Sequence, residues 1–596
     1  MQSAGATGLA AASGLSLPAY VKAASRPVFT HGVQSGDVDM TSGMVWARTD
    51  RPSRIMMEYA TTESFSSAVR LPSINALPDS DFAAKRLIEN LPSDQDIFYR
   101  FVAADLQDIN NVSEPVTGRF RTAPSSRRNV RFVWSGDTAG QGWGIDETGM
   151  KTYATMAKHQ PDFFIHSGDT IYADGPMKDE VDLKDGTKWK NAILVDEKRK
   201  VAETLDEYRG QWKYNMLDRH VRELSAVCPT FYQWDDHEVL NNWSDSKDLS
   251  KDDRYKEKSI QLLSARAARA FHEMSPIRYV PSEPGRVYRK IAYGPLVDVF
   301  FLDMRTYRGP NHDALETELS PKSRILGEQQ VAWLKRELAN SKATWKVIAA
   351  DMPLSLIVWD DFANRKGDEA VANADNGPAK GRELEIADLL RFMKTAGISN
   401  TVWLTADVHY TAAHYYDPNK AQLQDFNPFW EFVSGPLHAG TFGPNDLDMT
   451  FGPEVKFVKA PPEGQSNLPA VLRHCRCGRQ ERAADGASHG PRRQRTVEDH
   501  TRPDAQRLSA YRAPHIQKPG QFGGNWSGFA CRLQWSLLPK DHVEDRLGRP
   551  STRMRKVLQI CMFENCYSIR CTATVAQSPR NLTCPSGPSD RRAAMR

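Results

Sequence analysis

The chain has 596 residues, with 78 basic and 74 acidic side chains, a net charge of +4 and a hydrophobic fraction of 40%. So even a balance excludes a polyanion-binding surface as the organising feature, and the length exceeds what one hydrophobic core normally serves. The sequence holds no run of about eighteen apolar residues that would span a membrane.

Residues 1–26 are rich in Ala, Gly and Ser and nearly uncharged. They read either as the remnant of an export signal without its basic start or as a flexible leader, and export makes a periplasmic or secreted location the expectation. Residues 27–125 change to short β-forming runs, MVWAR (44–48), RIMMEYA (54–60), IFYRFVAAD (97–105) and GRFRTA (118–123), parted by Pro, Asp, Ser and Asn clusters. That rhythm predicts a small all-β sandwich of the immunoglobulin or fibronectin kind, acting as a scaffold.

From 126 to 468 strands alternate with helices, the pattern of an α/β domain. VRFVWSGD (130–137) reads as a strand ending in Asp137, followed by a Gly-rich loop and a helix near 147–159. PDFFIHSGDTIYADGP (161–176) reads as a buried strand cut off by Ser167-Gly168, with Asp169, Tyr172 and Asp174 behind it. Strands joined through a helix are expected as parallel neighbours, which brings Asp137 and Asp169 to one end of a sheet. The same ending recurs. TFYQWDDHE (230–238) delivers Asp235, Asp236 and His237, and LVDVFFLDMR (296–305) delivers Asp303 and Arg305. WKVIAAD (345–351) ends in Asp351 after a helix near 327–340, and TVWLTADVH (401–409) ends in Asp407 and His409 after a helix near 383–396.

Six hydrophobic runs that each finish in an acid would load one sheet edge with repulsion unless cations neutralise it. Asp, His and Tyr ligands suit Fe, Mn, Zn or Ca and need no thiolate. Two cations sharing a carboxylate can activate water for in-line displacement at phosphorus. Between residues 126 and 468 there is neither a Gly-x-Ser-x-Gly elbow nor a Gly-x-x-x-x-Gly-Lys-Ser/Thr loop to favour an acyl hydrolase or an NTPase.

SGD (135–137), HSGDTIYADG (166–175), WDDHEVLNNW (234–243), LDMRTYR (302–308) and TADVHY (405–410), in that order, resemble the PhoD-like alkaline phosphatase/phosphodiesterase family of metallophosphatases. The resemblance runs from about Val28 to Asn467. It implies a calcineurin-like αββα core behind the N-terminal sandwich, and hydrolysis of small phosphate mono- or diesters by in-line attack of a metal-bound hydroxide. It also implies a mixed metal site, often Fe3+ with Ca2+. By this resemblance Asp137 matches the first metal Asp, Asp169 the bridging Asp, Tyr172 the iron-binding Tyr and His409 the late His, with Asp407 a candidate partner. Asp236-His237-Glu238 resembles the Asn-His-Glu segment of metallophosphatases. Asp236 and Asn242 then compete as ligand, and His237 is the transition-state donor. Arg305 is expected as a phosphate clamp or, failing that, in a surface salt bridge. Some members carry a Cys ligand after the first motif, but TAGQGWGIDETG (138–149) has none, so the metal's identity stays open. His438 is expected in the core or at the pocket mouth, Cys228, Trp243 and Trp403 in the core, and Asp174 as an acid whose loss costs little activity. The rival reading is a calcium-dependent binding module whose acids hold structural ions.

Residues 469–596 hold twenty Arg, three Lys and seven of the eight Cys. An arginine-rich nucleic-acid arm is one reading. The preferred one is a shifted reading frame: permitted codons for PAVLRHCR (469–476), read one base on, encode the strand-like Leu-Gln-Phe-Phe-Gly-Ile-Ala-Val. A disordered tail without function, and no nucleic-acid partner, is therefore expected; the loss of a closing strand would even make the product inert.

Overall fold

The computed structural model describes residues 26–183, 186–361, 363–460, 531–536, 554–563 and 566–575. The leader (but for Arg26) and most of the tail lie outside the described residues.

Seven strands build the N-terminal part: β1 (Phe29–Gly36), β2 (Gly43–Thr49), β3 (Ser53–Ala60), β4 (Val69–Ala76), β5 (Ala83–Ile88), β6 (Asp96–Asp105) and β7 (Val116–Arg121). They pair antiparallel in two sheets, β1-β2-β5 and β4-β3-β6-β7. Period-two alternation turns Ile97, Tyr99 and Phe101 of β6 inward, where they join Val33, Val45 and Ile55 in one core. Strand β4 is mostly exposed and contains Pro72, as only an edge strand tolerates, which is why no alternating pattern betrayed it.

The next segment is strand β8 (Val130–Ser135), helix α1 (Lys151–Lys158) and strand β9 (Phe163–Ser167), and β8 and β9 are parallel neighbours as the crossover rule requires. A small hairpin, β10 (Glu180–Asp182) with β11 (Lys188–Lys190), precedes helices α2 (Leu205–Asn215) and α3 (Arg219–Ser225). Thr204 and Glu207 close a capping box on α2, and the Asp218 side chain caps α3. Strand β12 (Thr230–Gln233) then pairs parallel with β9. Helix α4 (Ile260–Met274) packs with α2 against the N-terminal part, where the Trp46 indole donates to the Glu273 carbonyl at 2.8 Å.

A second sheet, in the order β13-β14-β15-β18-β20-β19-β21, follows. Its strands are β13 (Arg289–Tyr293), β14 (Val297–Phe301), β15 (Trp345–Ala349), β18 (Thr401–Thr405), β19 (Thr411–Tyr416), β20 (Phe429–Val433) and β21 (Pro453–Lys459). Helices α5 (Glu328–Asn340) and α6 (Glu383–Thr395) lie between them in the chain, with the hairpin β16 (Trp359–Asp361) and β17 (Lys366–Asp368). The inner faces of the two sheets meet through aromatic pairs, Phe163–Tyr293 at 4.5 Å, Phe231–Phe301 at 6.1 Å and Trp134–Phe432 at 6.4 Å. Outside, Tyr153 and Met156 of α1 and Leu224 of α3 cover Val133 and Phe164, while Leu334 of α5 and Ile386 of α6 cover Ile348 and Trp403. The layers run helix, sheet, sheet, helix.

This layering corrects the picture of six acids on one sheet edge. Runs β8, β9 and β12 belong to one sheet and β14, β15 and β18 to the other, so each sheet contributes three. A run of apolar residues reports that a strand is buried on both faces, but not which of two facing sheets it joins. The acids still converge, because the carboxyl ends of both sets open toward the same end of the sandwich.

Three segments of the tail are among the described residues. Strands β22 (Cys531–Ser536), β23 (Met554–Phe563) and β24 (Cys566–Val575) form an antiparallel meander on the first sheet, whose order is β12-β9-β8-β24-β23-β22. Strand β24 pairs with β8 from Tyr567 opposite Trp134 to Cys571 opposite Val130, and Ile569 is fully buried in the central core. Strand β8 would otherwise end the sheet with unpaired N–H and C=O groups, and a β-forming run satisfies them.

Candidate metal centre

The strand ends turn sharply where they deliver their acids. Asp137 (φ 68°), Asp169 (49°), Asn242 (55°), Asp407 (68°) and His409 (59°) all occupy the left-handed region. Each such residue costs on the order of 1–3 kcal/mol and persists only where its surroundings hold it, a pattern that gathers at functional sites. Glu238 supplies part of that hold. Its carboxylate accepts from the backbone N–H of Asp169 (3.1 Å), Thr170 (2.7 Å) and Asp235 (2.8 Å), tying the end of β9 to the end of β12.

Three adjoining triplets result. Ligand atoms of Asp137, Asp169 and His409 lie within 4.8 Å of one another, as do those of Asp169, Asp236 and His237, and those of Asp235, Asp236 and Asp407. Asp169 belongs to the first two and Asp236 to the last two. Both carboxylate oxygens of Asp137, Oδ1 of Asp236 and Oδ2 of Asp235 are buried and accept no hydrogen bond. Burial, and then the charge of Asp235, hold the Asp137 carboxyl well above the usual carboxylate range; burial and Asp236 do the same to Asp169, and burial and Asp235 to Asp407. Orphaned buried oxygens on groups that resist ionisation when bare fit divalent cations.

The Nδ1 of His409 lies 2.5 Å from the Gly440 carbonyl, which can only accept, so Nδ1 carries the proton and Nε2 offers its lone pair to the centre. The Tyr172 hydroxyl donates to that Nε2 at 2.8 Å. Burial, reinforced by the charge of Asp169, keeps the Tyr172 phenol well above its ordinary value, so only a strongly polarising cation would make it a phenolate ligand. Its ring packs flush on Gly140, where a Cβ would come within 2.4 Å of Cε2.

His237 is held from two directions. Its backbone N–H donates to Asp169 Oδ1 at 3.1 Å, and its Nδ1 lies 2.6 Å from Asp174 Oδ1. Burial pulls this imidazole down, but Asp174 and Asp236 outweigh it and push the pKa up to about 9. Asp174 is thus more than a turn acid. Its other oxygen accepts from the Asn241 N–H at 2.9 Å.

Of the competing residues, Asp236 enters two triplets, while the Asn242 amide approaches the Trp359 carbonyl at 3.5 Å and its backbone N–H donates to Asp236 Oδ2. Arg305 departs furthest from expectation. It has no exposure, and all three guanidinium nitrogens face carboxylates: Asp235 at 2.6 Å, Asp351 at 3.3 Å, Asp407 at 3.4 Å, and Glu369. It is a buried counter-charge behind the third triplet, neither a surface ion pair nor a fork open to phosphate. Asp303 is a structural cap, accepting from Trp234 Nε1 and the Arg305 and Thr306 N–H groups. His438 is buried with Nε2 at 2.7 Å from the Gly144 carbonyl, and Cys228, Trp243 and Trp403 are buried as expected.

A family profile described as PhoD-like phosphatase matches residues 132–482, more than half of the chain. The chain belongs to the PhoD-like phosphatase family. A profile for the N-terminal domain of PhoD-like phosphatases matches residues 14–124. Alkaline phosphatase D of Bacillus subtilis (strain 168) is 27% identical over 457 residues, covering 72% of this chain and 73% of that protein. A solved structure of PhoD shares the fold, with a TM-score of 0.54 at 23% identity over 70% of this chain and 79% of its own. Purple acid phosphatase PPD1 from yellow lupin (Lupinus luteus) seeds aligns with a TM-score of 0.44 at 12% identity over 74% of this chain and 67% of its own. As a PhoD-like phosphatase the protein is a metal-dependent phosphoric ester hydrolase acting on small phosphoesters. No helix among the described residues is long and apolar enough to cross a membrane.

Proposed function

We propose that the protein hydrolyses phosphate mono- or diesters outside the cytoplasm, at a centre formed by Asp137, Asp169, Tyr172, Asp236, Asp407 and His409. The three triplets that share Asp169 and Asp236 carry this reading. When bound, cations there would lower the pKa of a coordinated water and draw charge from the phosphoryl oxygens. Asp169, common to two triplets, would touch two cations at once. Tyr172 with His409 favours Fe3+ in the first triplet, because a phenolate needs strong polarisation, and the all-oxygen set Asp235, Asp236 and Asp407 favours Ca2+. His237, cationic beside Asp174, donates a hydrogen bond or a proton to the ester as negative charge develops on its oxygens. Residues 27–125 serve as an immunoglobulin- or fibronectin-like scaffold and residues 126–468 as a calcineurin-like catalytic domain.

Hydrolysis of p-nitrophenyl phosphate and bis-p-nitrophenyl phosphate, before and after chelation, tests the reading. Turnover that is lost to chelator and restored by metal is expected. A protein that binds calcium but turns over neither ester would be a binding module instead.

A further inference from the structure

Phe442, on the loop after β20, stands open beside the candidate metal centre. It is 40% exposed, and its ring centroid lies 5.0 Å from that of His409, which is 3% exposed. The loop is pinned on both sides of the phenyl group. Before it, the Gly440 carbonyl accepts from His409 Nδ1 and the Gly440 N–H donates to Gln141 Oε1 at 3.3 Å. After it, Gly443 (φ +72°) sits so close to Tyr410 that a Cβ would lie 2.5 Å from the ring, and the Asn445 N–H donates to the Tyr410 hydroxyl at 3.2 Å. A loop held on both sides of residue 442 keeps the phenyl ring beside His409 with part of its apolar face in water.

The centre itself opens past its least buried acids and bases. The side chains of Asp407 and His237 keep 11% and 13% exposure, whereas Asp137 has none. An ester bound at these residues would keep its organic group on the more exposed side of the centre, past Asp407 and His237. The groups at the centre are charged or hydrogen-bonding; Phe442, in ring contact with His409, offers an exposed apolar surface beside them.

We propose that Phe442 is a specificity-determining residue, a platform for the organic group of the ester. It favours phosphoesters with an aromatic or extended apolar substituent over esters of small polar alcohols. The proposal rests on the phosphoesterase reading. An aromatic pair of this kind contributes roughly 3- to 10-fold in affinity.

The test compares Phe442→Ala and Phe442→Tyr with the unaltered metal-loaded protein. Phenyl phosphate and glycerol phosphate serve as substrates, and phenylphosphonate and methylphosphonate as non-hydrolysable ligands in calorimetry. For Phe442→Ala the ratio of kcat/KM for phenyl over glycerol phosphate should fall roughly 3- to 10-fold through KM, phenylphosphonate should weaken by a similar factor, and metal content should persist. Phe442→Tyr should restore both. Equal losses on both esters, which would make the ring a mere support for His409, or an unchanged ratio, would overturn the proposal. If the unaltered protein hydrolyses neither ester, the phosphoesterase reading falls on its own. The phosphonate titrations still decide the platform, and equal weakening of both phosphonates, or of neither, would overturn it.

Discussion

Nδ1 of His237 lies 2.6 Å from Oδ1 of Asp174, a contact that joins residues 63 positions apart. The acid fixes the imidazole's orientation and keeps it protonated, so the face turned to the centre can donate. Asp174→Asn preserves shape but removes the charge that outweighs burial at His237. We expect kcat to fall by roughly 10- to 100-fold, the usual consequence of losing a group that orients a site residue, with metal content retained. Steady-state kinetics with paired metal analysis checks this, and activity within two-fold of the unaltered protein would return Asp174 to the status of a turn acid.

The bare acid cluster makes a statement about pH. Asp137, Asp169 and Asp407 titrate well above the usual range, Asp235 at about 6 and Glu238 at about 8, in each case chiefly through burial. An unfolded chain sheds these protons near pH 4, before the folded chain does, so above that pH the folded state binds more protons. The contribution of these acids to stability therefore falls as pH rises from about 4 through 8. His237, raised to about 9, acts in the same direction, its contribution being complete below its ordinary value near 6.5 and lost as pH passes 9. Chelated protein should melt at a lower temperature at pH 8 than at pH 5.5, and added metal should remove most of that difference. Scanning calorimetry at the two pH values, with and without metal, measures it; a chelated protein equally stable at both would contradict the account.

Gly140 and Tyr172 give a steric test of the first triplet. A methyl at 140 would lie within 2.4–2.6 Å of three ring atoms of Tyr172, in a wall where nothing can yield cheaply. Gly140→Ala should displace the ring by about an ångström and lower kcat/KM by about 100-fold. Tyr172→Phe keeps the ring volume and loses only the hydroxyl. If Fe3+ is held there, the unaltered protein should be coloured by phenolate charge transfer, and Tyr172→Phe should bleach it without unfolding the chain. Absorption spectra of iron-grown protein decide this, a coloured Tyr172→Phe variant meaning that iron has another ligand.

Arg305 should behave as a stability residue. Removing a fully buried cation leaves Asp235, Asp351, Asp407 and Glu369 facing one another, and breaking such a buried network costs about 3–5 kcal/mol. Arg305→Met should lower the melting temperature sharply, and Arg305→Lys should rescue it only in part because one ammonium cannot serve the same set of partners. A phosphate clamp would instead raise KM in a protein of unchanged stability.

The part of this centre that was legible in the sequence is the part each strand carries in its own local pattern. Asp137, Asp169, Asp236, Asp407 and His409 all follow a short apolar run, and a run that stops in an acid can be seen without knowing the fold. Asp174 was visible but its role was not, since nothing near it in the chain points to a histidine beyond α3. Glu369 gave no local signal, because it follows the β16–β17 hairpin and meets Arg305 across 64 residues. The same limit explains the fold. Helices α1, α5 and α6 announced themselves by apolar spacing, whereas the division of six runs between two sheets is a property of long-range pairing. The pairing of β24 with β8 was hidden for the opposite reason, a local composition unlike that of the rest of the chain.

The claim on which all of this depends is that Asp169 bridges two cations. It is common to two of the three triplets, and its loss removes charge from both. Metal content and turnover of Asp169→Asn, measured on one preparation beside the unaltered protein, test that claim most directly. The account predicts loss of at least one bound metal together with loss of phosphoester hydrolysis. A variant with full metal content and near-normal turnover would contradict it.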